Sequence, residues 1–300
     1  MSLSLFSLTL LILPLTALFI LYHIYLPPGY LIRFLSHLHP EVLYHVPSPS
    51  SPRASPNQPP TPPPPTPPPR TIALTIDDTP SASTLPIAAI LSAHNIHATF
   101  FVIGSYIPGH EATLHHLLAQ GHELANHALH DTPSFRLSAQ DLRHEIVETE
   151  RRIAAIYDSY QTTSPLCSPS MSLGTNPLKP PRYFRPASGI FTRTMLSLLS
   201  TLSYRCVLGS IYPHDAQIKW PWLNAWHVCR GVRPGGVIVC HDREWTVEML
   251  RCVLPRIKAA GYRVGSVSEV LRWNGQGEIR EEMGERQMEA EMDPITHTDQ

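Results

Sequence analysis

The chain has 300 residues, a formal net charge of −1 at pH 7 and a pI near 7.0. Nucleic-acid-binding domains normally carry an excess of basic residues on one face, so this charge balance argues against a nucleic-acid partner. Five cysteines without a Cys-x-x-Cys pair give no support for a zinc ribbon or a thioredoxin-like motif. The chain is rich in proline, with 32 residues, of which 13 lie between residues 47 and 69.

Residues 1–26 predict a transmembrane signal anchor. Residues 3–26 contain no Lys, Arg, Asp or Glu, and a helix of that length spans about 36 Å, enough to cross a bilayer with some tilt. A cleaved signal peptide is the alternative, but its basic start and small-residue cleavage site are not evident. We therefore expect an uncleaved anchor and a single-pass membrane protein. Arg33, the first basic residue, follows the span and weakly favours that side as cytoplasmic.

Residues 27–70 predict a juxtamembrane segment and a proline-rich linker. Runs such as residues 62–65 cannot donate backbone hydrogen bonds and favour extended polyproline II. Such a tract is typical of a semi-rigid stalk between a membrane and a domain, and a ligand for proline-binding modules is the alternative. At the other end, residues 274–300 form an acidic tail, which we expect to be disordered and solvated.

Residues 71–273 alternate strand-like apolar runs with amphipathic helical stretches, and therefore predict one α/β domain. Strands are expected at residues 71–76, 98–103, 123–125, 182–184, 205–208, 236–240 and 262–266. Helices are expected at residues 83–94, 110–120, 139–157, 192–202, 246–260 and 268–272. This order suits a distorted β/α barrel, either complete or incomplete. Residues 159–181, rich in Ser, Thr and Pro, interrupt the alternation and predict a surface insertion.

Reactive side chains follow five of the predicted strands at their carboxyl ends. In a β/α barrel these ends open on one face, where the chemistry takes place. Each pair alone is common as a turn or a helix cap, but five in succession indicate an active site. In chain order the residues are Asp77 and Asp78; Asn126 and His127, with His130 and Asp131; Arg185; His214 and Asp215; and His241 and Asp242.

Asp78, His127 and Asp131 are the candidate metal ligands. Adjacent residues at a strand end diverge, so Asp78 can bind a metal while Asp77 stays free as a base. His127 and Asp131 are four residues apart and would share one face of a helical turn. Carboxylate and imidazole groups suit zinc or a similar divalent ion, and three protein ligands leave one position for water. His130 is the alternative third ligand.

Five ordered motifs resemble the polysaccharide deacetylases with a NodB homology domain, carbohydrate esterase family 4, to which chitin deacetylases belong. They are TIDDTP at residues 75–80, GHELANH at 121–127, FRPASG at 184–189, SIYPHD at 210–215 and VIVCHD at 237–242. The resemblance covers residues 71–273 and implies the deacetylase β/α barrel. Asp131 stands at the family's second metal-binding histidine, Ser188 at a tyrosine, and Tyr212 and Ala216 at an aspartate and a tryptophan. These losses of aromatic residues are expected to change the sugar-binding groove.

The resemblance implies metal-dependent removal of N-acetyl groups from chitin-like polysaccharide or oligosaccharide that contains N-acetylglucosamine. The ion is expected to be Zn²⁺, with Co²⁺ or a similar ion as the alternative. The backbone N–H of Ser188 would stabilise the oxyanion, and Val239 would line the pocket for the acetyl methyl group. Because the substrate is a glycan, the catalytic domain is expected on the luminal or extracellular side of the membrane.

The same resemblance assigns catalytic roles to four residues. Asp77 would be the general base that takes a proton from the attacking water, oriented by Arg185. His241 would protonate the leaving amine, and Asp215 would raise the pKa of His241 by pairing with it.

Three other interpretations stay open at the level of sequence. The first is a hydrolase of another amide or ester substrate on the same fold. The second is a non-catalytic carbohydrate-binding homologue. The third is a membrane-tethered interaction protein in which the proline tract and the acidic tail are the important parts.

Overall fold

The computed structural model describes residues 5–47, 70–163 and 178–275, with side chains from residue 12 onward. The proline tract at residues 48–69, most of the expected insertion and nearly all of the acidic tail lie outside these residues. The expected conformations of those segments therefore stay predictions.

Eight strands form one parallel, curled sheet, a half-barrel, at the centre of the domain. Its strand order is β1-β6-β5-β4-β3-β2-β7, and β8 also pairs with β2. Isolated bridges from His45 to Gly236 and from Ile211 to Ile238 link the β1–β6 end to β7. The predicted β/α barrel is thus confirmed in its incomplete form. The strands are β1 (Val42–Leu43), β2 (Arg70–Thr79), β3 (Thr99–Val102), β4 (Glu123–Asn126), β5 (Tyr183–Phe184), β6 (Arg205–Val207), β7 (Val237–His241) and β8 (Tyr262–Gly265).

Helices cover the strands, so the central strands are buried on both faces. Such strands are near-continuous apolar runs, and Ile72, Leu74 and Ile76 of β2 are each fully buried. These side chains share one core cluster with apolar residues of α3, α4, α5, α7 and α8. In the described part of the chain the α-helices are α1 (Leu5–Tyr25), α2 (Gly29–Leu38), α3 (Thr84–Ala93), α4 (Glu111–Ala119), α5 (Ala139–Thr163), α6 (Arg193–Thr201), α7 (Pro221–Gly231), α8 (Glu244–Ala259) and α9 (Val267–Trp273).

Every strand and helix predicted in residues 71–273 is present, but the boundaries differ in places. Helix α5 continues to Thr163 and so takes up the start of the expected insertion. Strand β2 continues through Asp77 and Asp78 to Thr79. Helix α7 was not predicted, because tryptophan and histidine side chains interrupt its apolar periodicity.

The sheet includes residues that precede the proline tract, which corrects the expected domain boundary at residue 71. Strand β1 pairs with β6, with Val42 opposite Cys206. The backbone N–H of Val46 donates to the carbonyl oxygen of Gly235 at 2.7 Å. Leu43 and Val46 are at most 1% exposed. These apolar side chains belong to the folded core and not to a juxtamembrane segment.

Asn274 joins the two ends of the proline tract. Its side-chain amide donates to the carbonyl oxygen of Pro47 at 3.0 Å, and its side-chain oxygen accepts from the hydroxyl of Thr71 at 3.0 Å. The tract therefore starts and ends at one place in the domain. It connects β1 to β2, so both of its ends belong to the domain, in contrast to the stalk that the sequence predicted.

No single helix in the described residues is long and apolar enough to span a bilayer. Residues 12–25 and helix α2 pass that test only as a pair, which is bent by 64°. Most apolar side chains between Ile12 and Ile24 are exposed. The anchor therefore stays a prediction.

Candidate active site

The site residues meet at the carboxyl end of the curled sheet, because the strands that carry them are parallel neighbours. Asp77 lies opposite His241 in the register of β2 and β7. Strands β4 and β5 are paired, so His127 and Arg185 follow side by side. The Nδ1 atom of His127 donates to the carbonyl oxygen of Arg185 at 2.7 Å. Asp215 accepts from the backbone N–H of His241 at 2.8 Å.

Asp77 is paired with a rigidly held guanidinium. Arg185 Nη1 donates to Asp77 Oδ1 and to the hydroxyl of Thr75 at 2.8 Å, and Nε donates to the carbonyl oxygen of Val207 at 2.8 Å. The guanidinium carbon lies 4.0 Å from the ring centroid of Phe101. Because both members of the pair are buried, Arg185 holds the Asp77 carboxylate in one orientation.

His241 is held by a fully buried carboxylate. Its Nδ1 atom lies 2.8 Å from Asp215 Oδ1, and Asp215 Oδ2 also accepts from the hydroxyl of Thr246 at 2.9 Å. The indole N–H of Trp245 donates to the Asp215 carbonyl oxygen at 2.7 Å. Burial alone would lower the pKa of His241, but the hydrogen bond and charge of Asp215, with Asp77, raise it. A raised pKa agrees with the role of His241 as the acid, which the resemblance implies.

Asp78 and His127 face each other beside this pair. His127 Nε2 lies 3.4 Å from Asp78 Oδ1, and both side chains are less than a tenth exposed. Nδ1 of His127 donates to a backbone carbonyl, which leaves Nε2 directed at the carboxylate. Burial lowers the pKa of His127, but the charges of Asp77 and Asp78 raise it overall. Two acceptors at this distance require a proton or a cation between them.

Residues 65–178 match the sequence profile described as polysaccharide deacetylase. Over these residues the chain is similar to that family. It is 26% identical over 211 residues to a peptidoglycan-N-acetylglucosamine deacetylase of Bacillus cereus, covering 68% of this chain and 89% of the relative. It is 25% identical over 211 residues to a chitooligosaccharide deacetylase of Bradyrhizobium sp., covering 65% and 88%. The resemblance predicted from the motifs is thereby confirmed.

A solved structure with the same fold is that of a CE4 family pseudoenzyme from Bacillus anthracis. The TM-score is 0.58 at 23% sequence identity, and the match covers 67% of this chain and 65% of that chain. This similarity shows the deacetylase fold alone. The deacetylases that the chain resembles are hydrolases that act on amide bonds, and CE4 deacetylases are generally metal-dependent.

The expected third metal ligand of this family is not in place. Asp131 is exposed, and the described ranges contain no group of three or more His, Cys, Asp or Glu residues able to hold a metal ion. Asn126 accepts from the backbone N–H of Ala128 at 3.0 Å, and Ala128 has φ of 66°. Because this is a turn and not a helical segment, the four-residue spacing from His127 does not create a shared face. This corrects the geometry expected for Asp131.

His130, the alternative ligand, is directed at a different partner. Its Nδ1 atom lies 3.1 Å from Glu145 Oε1, and its backbone N–H donates to Glu145 Oε2 at 3.3 Å. Asp78 and His127 therefore fit two positions of a metal site, including the backbone-bonded imidazole that metal-binding histidines commonly show. In the described arrangement neither His130 nor Asp131 completes that site.

Arg243 is the site residue that the sequence analysis missed. Its Nη2 atom donates to Asp78 Oδ2 at 2.6 Å. Burial raises the pKa of Asp78, but the hydrogen bond and charge of His127, with the charges of His241 and Arg243, lower it to about 2. The signal for Arg243 in the sequence is its position directly after the His241–Asp242 pair.

Two of the strand-end residues support the fold instead of facing the site. Asp242 is buried and accepts from the hydroxyl of Thr84, and its backbone N–H donates to the Asp77 carbonyl oxygen at 2.9 Å. The His214 ring stacks on Tyr25 with 4.9 Å between centroids, and its Nε2 atom lies 3.1 Å from the Tyr25 carbonyl oxygen. His214 therefore binds helix α1 to the domain.

The expected substrate-binding residues lie on the same face. Ser188 is exposed and has φ of 71°, a left-handed conformation that is uncommon for residues other than glycine and clusters at functional sites. Val239 is a buried residue of β7, two residues before His241. The ring of Tyr212 packs edge-on against His241, with 5.7 Å between centroids. An aromatic side chain thus borders the site at a position where the family has an aspartate.

Proposed function

We propose that the chain removes N-acetyl groups from polysaccharide or oligosaccharide that contains N-acetylglucosamine, chitin-like in kind. The observation that carries this proposal is the pair of charged dyads, Asp77 with Arg185 and His241 with Asp215, on paired strands of a deacetylase fold. Amide hydrolysis needs one group to take a proton from water and another to give a proton to the leaving amine. The two dyads provide one group for each step.

Asp77 takes the proton from the attacking water in this proposal. Arg185 fixes the carboxylate through Oδ1, which leaves Oδ2 to accept the proton. His241 protonates the leaving amine from Nε2, because Nδ1 is engaged with Asp215. Asp215 stabilises the imidazolium form, so His241 carries a proton at a higher pH than an ordinary histidine. The backbone N–H of Ser188 would stabilise the developing oxyanion, and Val239 would contact the acetyl methyl group.

The proposed cofactor is a divalent ion, Zn²⁺ or alternatively Co²⁺. Asp78 and His127 would hold the ion, and its remaining positions would be open to water. When bound, such an ion lowers the pKa of its water towards about 7.

Acetate release by the full chain in detergent micelles tests this function. Acetylated chitooligosaccharides, peptidoglycan and acetylated xylan should be compared in parallel, with Asp77→Asn as the inactive control. Release from the first two substrates but not from xylan is expected. Release from xylan alone would favour an ester substrate, and release from none would remove the proposed activity.

A non-catalytic carbohydrate-binding homologue is the second candidate, because Arg243 contacts Asp78 and Asp131 is exposed. Binding of chitooligosaccharide without acetate release, at any divalent ion concentration, would favour this candidate.

We also propose that α1 anchors the protein in a membrane, with the domain on the luminal or extracellular side. The apolar run of residues 3–26 supports the anchor, and the glycan substrate supports the side. Carbonate extraction followed by protease protection tests both. Release by carbonate would contradict the anchor, and a domain protected with the cytosol would contradict the orientation.

A further inference from the structure

Both oxygens of the Asp78 carboxylate already have basic partners within the chain. Oδ2 accepts from Arg243 Nη2 at 2.6 Å, and Oδ1 lies 3.4 Å from His127 Nε2. The Asp78 side chain is 8% exposed, whereas that of Arg243 is 31% exposed. The guanidinium therefore reaches from the solvent side to the carboxylate that would be the first ligand of a metal ion.

The position of Arg243 is fixed by the backbone on both sides. Its N–H donates to the carbonyl oxygen of His241 at 2.8 Å, and it is the residue immediately before α8. Its Nη1 atom donates to the carbonyl oxygen of Asp242 at 3.1 Å, and Asp242 is itself bonded to the backbone of Asp77. This anchorage distinguishes the Arg243–Asp78 pair from an ordinary exposed ion pair, which is worth little.

A guanidinium and a divalent ion cannot share Asp78 without cost. The guanidinium binds Oδ2 of Asp78, and an ion between Asp78 and His127 would bind Oδ1, so the two positive charges would repel each other across one carboxylate. Each cation therefore weakens the binding of the other. The partial exposure of Arg243 provides a route by which its side chain can leave towards solvent.

We propose that Arg243 is a built-in cation beside the metal position: it holds Asp78 through Oδ2 and opposes the binding of a divalent ion between Asp78 and His127. This inference rests on the proposed metal site at Asp78 and adds a control on its occupancy. It implies that the chain binds divalent ions weakly for its family, and that removal of one arginine strengthens binding.

Cobalt binding to the full chain in detergent, followed by calorimetry and by the visible absorption of Co²⁺, tests the proposal. Arg243→Ala should lower the dissociation constant by at least about tenfold relative to the wild type, because a competing charge is removed. Arg251→Ala is the matched control, since Arg251 lies on α8, the helix that Arg243 precedes, and pairs with the exposed Glu248. It should bind Co²⁺ as the wild type does.

The double variant Arg243→Ala/Asp78→Asn locates the effect, and it should lose the added affinity. Equal or weaker binding by Arg243→Ala would overturn the proposal, as would a gain that survives Asp78→Asn. Absence of binding by both wild type and Arg243→Ala would also overturn it. Acetate release separates this proposal from the proposed function. If the wild type releases acetate but Arg243→Ala leaves the cobalt affinity unchanged, only the role of Arg243 is refuted and the proposed function stands.

Discussion

Replacement of Arg185 by methionine should be strongly destabilising, although the two side chains are similar in length. Arg185 is 2% exposed and donates to Asp77, to Thr75 and to the Val207 carbonyl oxygen. The methionine variant leaves the Asp77 carboxylate buried without a counter-ion. Loss of one partner of a buried ion pair typically costs about 3–5 kcal/mol, and we expect the free energy of unfolding to fall by about that amount.

The charge, and not the lost volume, should account for most of this cost. The double variant Arg185→Met/Asp77→Asn contains no buried charge at this position, so it should recover a substantial part of the stability. Chemical unfolding of the wild type, both single variants and the double variant, followed by tryptophan fluorescence, gives the coupling energy of the pair. Asp77→Asn alone should be the milder single change, because it leaves a neutral acceptor beside the guanidinium.

Two results would refute this reasoning. One is a loss of less than about 1 kcal/mol in Arg185→Met, which would be the value of an exposed pair. The other is a double variant no more stable than Arg185→Met, which would mean that packing against Phe101 and the backbone contacts decide the cost.

Three further predictions concern the acid, the metal position and the sheet. Asp215 raises the pKa of His241, so the protonated imidazole that acts as the acid is lost only as the pH rises through that raised pKa. Asp215→Asn should therefore move the alkaline limb of the rate–pH profile to lower pH. An unmoved limb would exclude His241 as the acid. His127→Ala should abolish Co²⁺ binding, whereas Asp77→Asn should retain it while stopping acetate release; elemental analysis and the acetate assay check both, and full metal retention in His127→Ala would contradict the ligand assignment. Leu43→Ala should lower stability by about 2–5 kcal/mol, because Leu43 is 1% exposed in β1; a change below about 0.5 kcal/mol in chemical unfolding would mean that β1 is not part of the core.

The position of the site could be predicted from the sequence because parallel strands fix it. Residues that end neighbouring strands must lie on one edge of the sheet, and Asp77, Arg185 and His241 accordingly meet there. The register of β2 and β7 places Asp77 opposite His241, so the proposed base and the proposed acid lie on neighbouring strands. A β/α barrel could be predicted because strand and helix periods differ clearly, but the sequence left open whether it is complete.

The features that the sequence predicted wrongly or did not reveal depend on single turns and single side chains. The spacing of His127 and Asp131 suggests a common face only if the backbone is helical, but Ala128 adopts a left-handed conformation instead. In the sequence, Arg243 is only the residue that follows the motif at 237–242 and precedes a helix. The tertiary structure shows that its guanidinium reaches Asp78. Strand β1 has two residues, too few for any periodicity to be visible.

Because of the contacts of β1, the segments before and after the proline tract are joined by noncovalent contacts as well as by the tract itself. The segment before the tract bonds to the sheet through β1 and Val46, and Tyr25 stacks on His214. A single protease cut between residues 48 and 69 would therefore yield two fragments that stay associated without a covalent bond. The larger fragment, with all the proposed catalytic residues, would stay attached to the fragment that carries α1. Separation of the two fragments would require unfolding of the sheet as well as cleavage. The cleaved protein should therefore behave as a non-covalent heterodimer.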